Sequence, residues 1–225
     1  MKNTIRICLL VFCIISFTSC RKNIKAGIKT NLTGLVNDPI TNLPISNSTI
    51  YVQEYKTGLY GGLYGTVPNR VIDSTKSGSD GRYALAFVTT GKGVEYRLAC
   101  SVGFNYYTQQ GAQDINIGTD NSINFWAYKL HVLKARILVS NNPNPPLRVY
   151  GTISLAVGNI SSTSNDTTIF LPVIPNFENY IYFTIANIDT PAIYNARIDT
   201  LRLQGLTDTF THTFQVDPTL FRRRL

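Results

Sequence analysis

The stretch Ser77-Gly78-Ser79-Asp80-Gly81-Arg82-Tyr83-Ala84-Leu85, continuing through Val88, decides the fold. A cluster of Ser, Gly and Asp ends in Asp80-Gly81, a pair suited to a tight turn. The run Tyr83–Val88 then alternates, with Tyr83 and Leu85 on one face of a strand. The rest of the chain repeats this unit of turn and short alternating run. Toward the N-terminus the runs are Val71–Lys76, Thr49–Tyr55 and Leu32–Asn37, and toward the C-terminus Tyr96–Val102, Asp114–Ile117 and Ile123–Tyr128. A second series follows: Val132–Ser140, Leu147–Val157, Thr167–Leu171, Tyr180–Ala186, Ala192–Leu203 and Thr209–Val216. Past the N-terminal segment, no stretch holds apolar residues at helical spacing over three turns. Short runs every 8–12 residues or so with turn signals between them predict an all-β chain of two consecutive β-sandwich domains.

Length and composition agree. The chain has 225 residues, of which 44% are hydrophobic and 15% charged, enough to bury a core in one large or two small domains. It holds 25 Thr, 20 Asn and only nine Lys, a strand-and-turn composition. Asn141–Pro146 (NNPNPP) is a loop that no strand could cross. The expected organisation is a signal segment 1–19, a basic tether 20–30, a first sandwich 31–130, a second 131–221 and a basic tail 222–225.

The formal charge of +8 is concentrated at the ends. Lys2, Arg6, Arg21, Lys22, Lys25, Lys29 and Arg222–Arg224 account for nine of the 21 basic residues. The remaining 12 share positions 30–221 with all 13 acidic residues, a net of −1. A nucleic-acid partner needs a basic face on a folded body, so none is expected.

Met1–Arg6 carries two positive charges, and Ile7–Phe17 (ICLLVFCIISF) is an uncharged apolar run of eleven. A membrane-spanning helix needs about 20 such residues, so the run reads as the core of a secretory signal peptide. The following Phe17-Thr18-Ser19-Cys20 resembles the lipobox of bacterial lipoproteins, with Phe in place of the commoner Leu. The resemblance implies that Cys20 is acylated and becomes the mature N-terminus. Its partner is then a membrane, reached through the lipid anchor. Cys8 and Cys13 leave with the signal, so Cys100 is the single thiol left and is expected to be buried and inert.

A second resemblance covers Thr33–Leu98. The elements Gly34–Asp38, Leu43–Ile50 (LPISNSTI), Ser77–Leu85 and Gly93–Leu98 (GVEYRL) resemble, in order, the carboxypeptidase regulatory-like, transthyretin-like sandwiches. Tyr55–Arg70 is a longer insert than that family usually has. The second half resembles the immunoglobulin-like domains that accompany such modules, by pattern and without a motif. The family resemblance implies a structural or interaction unit with no catalytic residues of its own.

Few residues suggest chemistry. His131 and His212 stand 81 positions apart without a ligand at metal-site spacing, and both read as surface or edge residues. No metal and no cofactor are expected. The phrase Gly58–Gly65 (GLYGGLYG) lacks the Lys-Ser/Thr of a phosphate loop. It reads either as a hairpin tip folded back on the sandwich or as an exposed aromatic loop that grips a protein or stacks on a sugar. Tyr60, Tyr64, Tyr106 and Tyr107 are the candidate contacts for a protein or glycan partner. Trp126 is expected in the core. Asp73-Ser74-Thr75, Asp166-Thr167-Thr168 and Asp199-Thr200-Leu201 resemble the O-glycosylation sequon of some Bacteroidota, which makes Ser74, Thr167 and Thr200 candidate modification sites.

Together these readings predict a non-catalytic, lipid-anchored envelope protein, a structural or interaction accessory. The alternative is a glycan-binding lipoprotein of a polysaccharide-uptake system. Surface-exported Bacteroidota lipoproteins resemble one another in an acidic run after the cysteine, whereas this tether is basic. The expected location is therefore the outer membrane, on its periplasmic side.

Overall fold

The computed structural model describes residues 22–60, 63–153, 158–186 and 194–224. The signal segment and Cys20 lie outside them. In chain order the strands are β1 (Lys29–Asn37), β2 (Thr49–Tyr60), β3 (Leu63–Lys76), β4 (Arg82–Val88), β5 (Glu95–Ser101), β6 (Tyr106–Tyr107), β7 (Gln113–Asp114), β8 (Asp120–Ser122), β9 (Phe125–Trp126) and β10 (Tyr128–Lys129). Then follow β11 (His131–Val139), β12 (Leu147–Gly151), β13 (Gly158–Ile160), β14 (Asn165–Val173), β15 (Glu178–Ala186), β16 (Tyr194–Arg202), β17 (Thr209–Val216) and β18 (Arg222–Arg224). Among the described residues the one helical element is a 3₁₀ turn, Pro218–Leu220.

The chain divides into two compact units. The first holds the described residues up to Val36, Pro44–Ser101 and Gln110–Phe125, and the second holds Asn37–Leu43, Val102–Gln109 and Trp126 onward. The short segment 102–109 belongs with the second unit because Tyr107 and Tyr106 pair antiparallel with Tyr128 and Lys129, and Leu130 N–H donates to Asn105 at 2.7 Å.

In the first unit one sheet runs β4-β1-β8, with β9 also on β1, and the other runs β3-β2-β5-β7. The opening stretch behaves as read. Gly81 takes φ +74°, with its N–H on Gly78, and Tyr83 and Phe87 point inward from β4. The buried face of this unit includes Leu32, Val36, Ile50, Val52, Phe87, Tyr96, Leu98 and Phe125. Gly34 is obligatory here, since a Cβ would sit 1.8 Å from the Ile123 carbonyl oxygen, which also accepts from the Tyr83 hydroxyl.

The second unit stacks β14-β11-β17 with β13-β12-β15-β16-β18. Strand β11 alternates strictly, with Leu133, Ala135, Ile137 and Val139 inward, and it meets Leu147, Val149, Ile181, Phe183, Phe214 and Val216 in one apolar cluster. Phe183 and Phe214 contact edge-to-face at 5.3 Å. Pro172 is tolerated because β14 is an edge strand.

Several expectations change. Val71–Lys76 is only the end of a 14-residue strand, because the insert Tyr55–Arg70 pairs with itself and extends the β2–β3 hairpin. Leu147–Val157 is not one strand: β12 stops at Gly151, β13 pairs back onto it, and residues 154–157 lie outside those described. Trp126 is half exposed, since strand alternation sends its neighbour Phe125 inward instead. His131 is buried, because it opens the central strand β11, and its Nδ1 lies 2.6 Å from the Thr207 carbonyl oxygen. Within the basic tail, Arg222–Arg224 pairs with Tyr194–Ala196 as β18.

Candidate functional site

A cavity of about 430 Å³ lies within the second unit, lined by residues 151–153 at the end of β12, the start of β15 and the connection between β14 and β15. That connection reads Ile174-Pro175-Asn176-Phe177, a turn by composition. Asn176 adopts φ +59°, which Asn accepts more readily than most residues, and its N–H donates to Leu203 at 2.7 Å. Asn179 is buried and clamps the turn from behind. Its side-chain oxygen accepts from Ile174 N–H at 2.8 Å, and its amide donates to the carbonyls of Ile174 at 2.8 Å and Phe177 at 3.1 Å.

The clamp holds Phe177 partly exposed, with its ring edge-on to Tyr128 at 5.1 Å. Tyr128 is the register partner of Tyr107, so the two-residue ladder of β6 and β10 brings Tyr107 to the same place. Tyr107, Phe177 and Tyr180 line the cavity with Gln109, Glu178 and Arg202. The Tyr180 hydroxyl donates to Glu178 at 2.8 Å. That bond, the carboxylate's charge and burial together hold the Tyr180 phenol above its ordinary pKa. The site therefore offers aromatic surfaces beside amide, carboxylate and guanidinium groups, on a turn whose backbone is fixed.

Of the sequence-selected tyrosines, only Tyr107 lines this cavity. Tyr106 alternates to the other face of β6 and is half-buried. Tyr64 is in the other unit, 83% exposed near the tip of the β2–β3 ribbon. Tyr60 pairs in register with Leu63, and its side chain lies outside the description. Leu59 and Leu63 are also exposed, so the ribbon tip is not folded back on the sandwich. Phe177, Tyr180, Asn179 and Arg202 were not singled out from the sequence. The available signal was a Phe set directly after Pro175-Asn176, where a turn calls for polar residues.

A second polar cluster, in the first unit, was also missed. Glu54 on β2 is fully buried. The register shift between Glu54 and Tyr55 in the β2–β3 ladder leaves Asn69 as an extra residue, and its amide donates to Glu54 at 2.8 Å. Arg70 lies 3.2 Å from the same oxygen, and the Tyr96 and Thr90 hydroxyls donate to the other, Tyr96 at 2.9 Å. Burial works to raise the Glu54 pKa, but hydrogen bonds from Thr90, Asn69 and Tyr96 and the Arg70 charge outweigh it, and the value is lowered.

Burial pushes the half-buried Cys100 thiol up to about 11, which leaves it unreactive near neutral pH. His212 packs edge-on against Phe214 at 4.6 Å. At the three sequons, Ser74 and Thr200 are exposed and Thr167 is half-buried. Asp166 is held by Arg136 through two bonds of 2.9 and 2.6 Å, and Asp199 by Arg197 through two of 2.7 Å.

No protein-family model and no curated protein matches the chain. Among solved structures it is similar to the minor pilin of Streptococcus agalactiae, at 11% identity over 84% of this chain and 95% of that one, with a TM-score of 0.40. A streptococcal ancillary pilin matches at 9% identity over 83% of this chain and 62% of its own, with a TM-score of 0.37. The shaft pilin SpaA from Lactobacillus rhamnosus GG matches at 7% identity over 84% and 98%, with a TM-score of 0.30.

Proposed function

We propose that this chain is a non-catalytic interaction module of the bacterial envelope, anchored by acyl chains on Cys20 and held on the periplasmic side of the outer membrane. The observation that carries the interaction reading is the cavity of the second unit. A buried amide, Asn179, is committed to shaping a turn that presents Phe177 and Tyr180 beside Tyr107. A binding surface is worth such a clamp because groups already ordered lose little freedom on binding. The non-catalytic reading is supported by what the reactive side chains do: the Cys100 thiol is held protonated by burial, and His131 is bonded to a backbone carbonyl. The anchor and the location rest on the lipobox resemblance and on the basic run Arg21–Lys29.

The cavity's chemistry also favours a second reading, carbohydrate binding. Sugar rings stack on aromatic faces and exchange hydrogen bonds with amides, carboxylates and Arg. The two readings separate on a glycan array probed with the purified protein, paired with photo-crosslinking from position 107 in intact cells. A glycan hit lost on Phe177→Ala establishes the second reading, and a crosslinked protein partner lost on the same change establishes the first. Binding unchanged by Phe177→Ala removes the cavity from either account.

A further inference from the structure

The β2–β3 ribbon leaves the first sandwich at the end where the N-terminal segment enters. Strand β5 pairs with β2 only over Thr49–Tyr55, so beyond Tyr55 the hairpin continues as two strands alone. At its base Val94 N–H donates to the Tyr55 carbonyl at 2.9 Å. The neighbouring Gly93 carbonyl accepts from Ile24 N–H at 2.8 Å, and Gly27 and Lys25 are tied to Thr89. From Ile24 onward the chain is thus fastened to the same loop that flanks the ribbon.

Only Arg21, Lys22 and Asn23 separate Ile24 from Cys20. Four peptide steps reach at most about 14 Å. Residues 56–60 extend the ribbon by about 17 Å past the end of β5. An acyl anchor on Cys20 would hold this end of the sandwich against the bilayer, within the ribbon's own length.

The ribbon's composition suits that position. Gly58-Leu59-Tyr60-Gly61 and Gly62-Leu63-Tyr64-Gly65 repeat one phrase across the turn, so the register sets Leu59 opposite Tyr64 and Tyr60 opposite Leu63. Leu59 and Tyr64 therefore share one face of the tip. Leu59, Leu63 and Tyr64 are 60%, 76% and 83% exposed. No acidic residue occurs from Tyr55 to Ile72, and Lys56 at the base joins Lys22, Lys25 and Lys92 at this end of the sandwich. Leu and Tyr above a collar of Lys match the order of apolar, interfacial and anionic layers in a bilayer surface.

We propose that the tip of the β2–β3 ribbon is a second membrane contact, inserting Leu59, Leu63 and Tyr64 into the interface of the anionic leaflet that carries the anchor. The inference rests on acylation of Cys20, and the experiment separates the two. The acylated protein carrying Tyr64→Trp in a Trp126→Phe background is reconstituted into phosphatidylethanolamine–phosphatidylglycerol vesicles containing brominated acyl chains. Mass spectrometry of the same sample scores the acyl group. The expected result is a blue-shifted Trp emission that loses most of its intensity to the brominated lipid, with both effects reversed by Leu59→Asp plus Leu63→Asp at unchanged circular dichroism. Solvent-like, unquenched emission with the acyl group present overturns the ribbon contact alone. Absence of the acyl group overturns the anchor instead. In that case the quenching of vesicle-added protein scores the ribbon independently, and no quenching there overturns it too.

Discussion

The two sandwiches share a strand order and differ in what they do with it. In the first, β1 lies between β4, antiparallel, and β8, parallel, while β3, β2, β5 and β7 form the facing sheet. In the second, β11 lies between β14, antiparallel, and β17, parallel, while β13, β12, β15 and β16 form the facing sheet. Strand for strand the path is the same. The first unit lengthens its β2–β3 hairpin to strands of 12 and 14 residues and buries a carboxylate in the process. The second keeps the equivalent β12–β13 hairpin at 5 and 3 residues, buries an apolar cluster, and elaborates the connection between its fourth and fifth strands into a cavity. Topology therefore does not assign function here. The proposed binding cavity and the ribbon both lie in elaborated connections, which differ between the two units.

The contrast between an apolar cluster and an interior that also holds a carboxylate predicts unequal responses to truncation. Phe183→Ala removes a fully buried ring from the second unit and should cost about 3–5 kcal/mol, read from the urea midpoint of that unit's transition. Glu54→Ala should cost the first unit about 3 kcal/mol, because the buried Tyr96 hydroxyl loses its acceptor and the Thr90 and Asn69 bonds are lost with it. A loss under about 1 kcal/mol would mean that the network adds little beyond its packing.

Glu54 also gives the first unit a pH dependence. Its folded pKa lies below its unfolded value. The stabilisation is therefore complete above the ordinary carboxylate range and is lost as pH falls through the lowered folded value. The urea midpoint of the first transition should drop on acidification, and Glu54→Gln should flatten that drop. An unchanged acid response in the variant would place the titration elsewhere.

Asn179→Ala should have a smaller effect on folding, about 2 kcal/mol, since the buried Ile174 N–H and carbonyl lose their partner while the freed Phe177 carbonyl can rehydrate. It should nevertheless disorder Phe177 and lower any affinity carried by the cavity. The smallest effect is expected at Arg136 and Asp166, an exposed pair on β11 and β14. Asp166→Asn should leave the denaturant midpoint where it was, because exposed ion pairs are screened by solvent.

The all-β architecture was legible because period-two alternation survives in nearly every run, most clearly in His131–Val139. Asp80-Gly81 was legible as a turn because few other residues take its backbone conformation at low cost. The shared strand order was hidden, since it depends on which runs pair and not on how each run alternates. Trp126 and Phe125 show the limit of composition: the larger residue was assigned to the core, and alternation chose its neighbour. The ribbon was hidden because Tyr55–Arg70 is rich in Gly and includes Pro68, which read as breakers. An edge strand tolerates both. Tyr107 was found as one of two adjacent aromatics, but Phe177 and Tyr180 meet it only through the β6–β10 pairing and the Asn179 clamp, which together bring residues about 70 positions apart to one cavity.

The account depends most on the anchor, since location, orientation and the ribbon's reach all follow from it. Metabolic labelling with a palmitate analogue tests it directly in cells expressing the full chain or its Cys20→Ala variant. The account predicts label on the wild-type chain, none on the variant, and release of the variant from the membrane fraction. Persistent labelling of Cys20→Ala would contradict it.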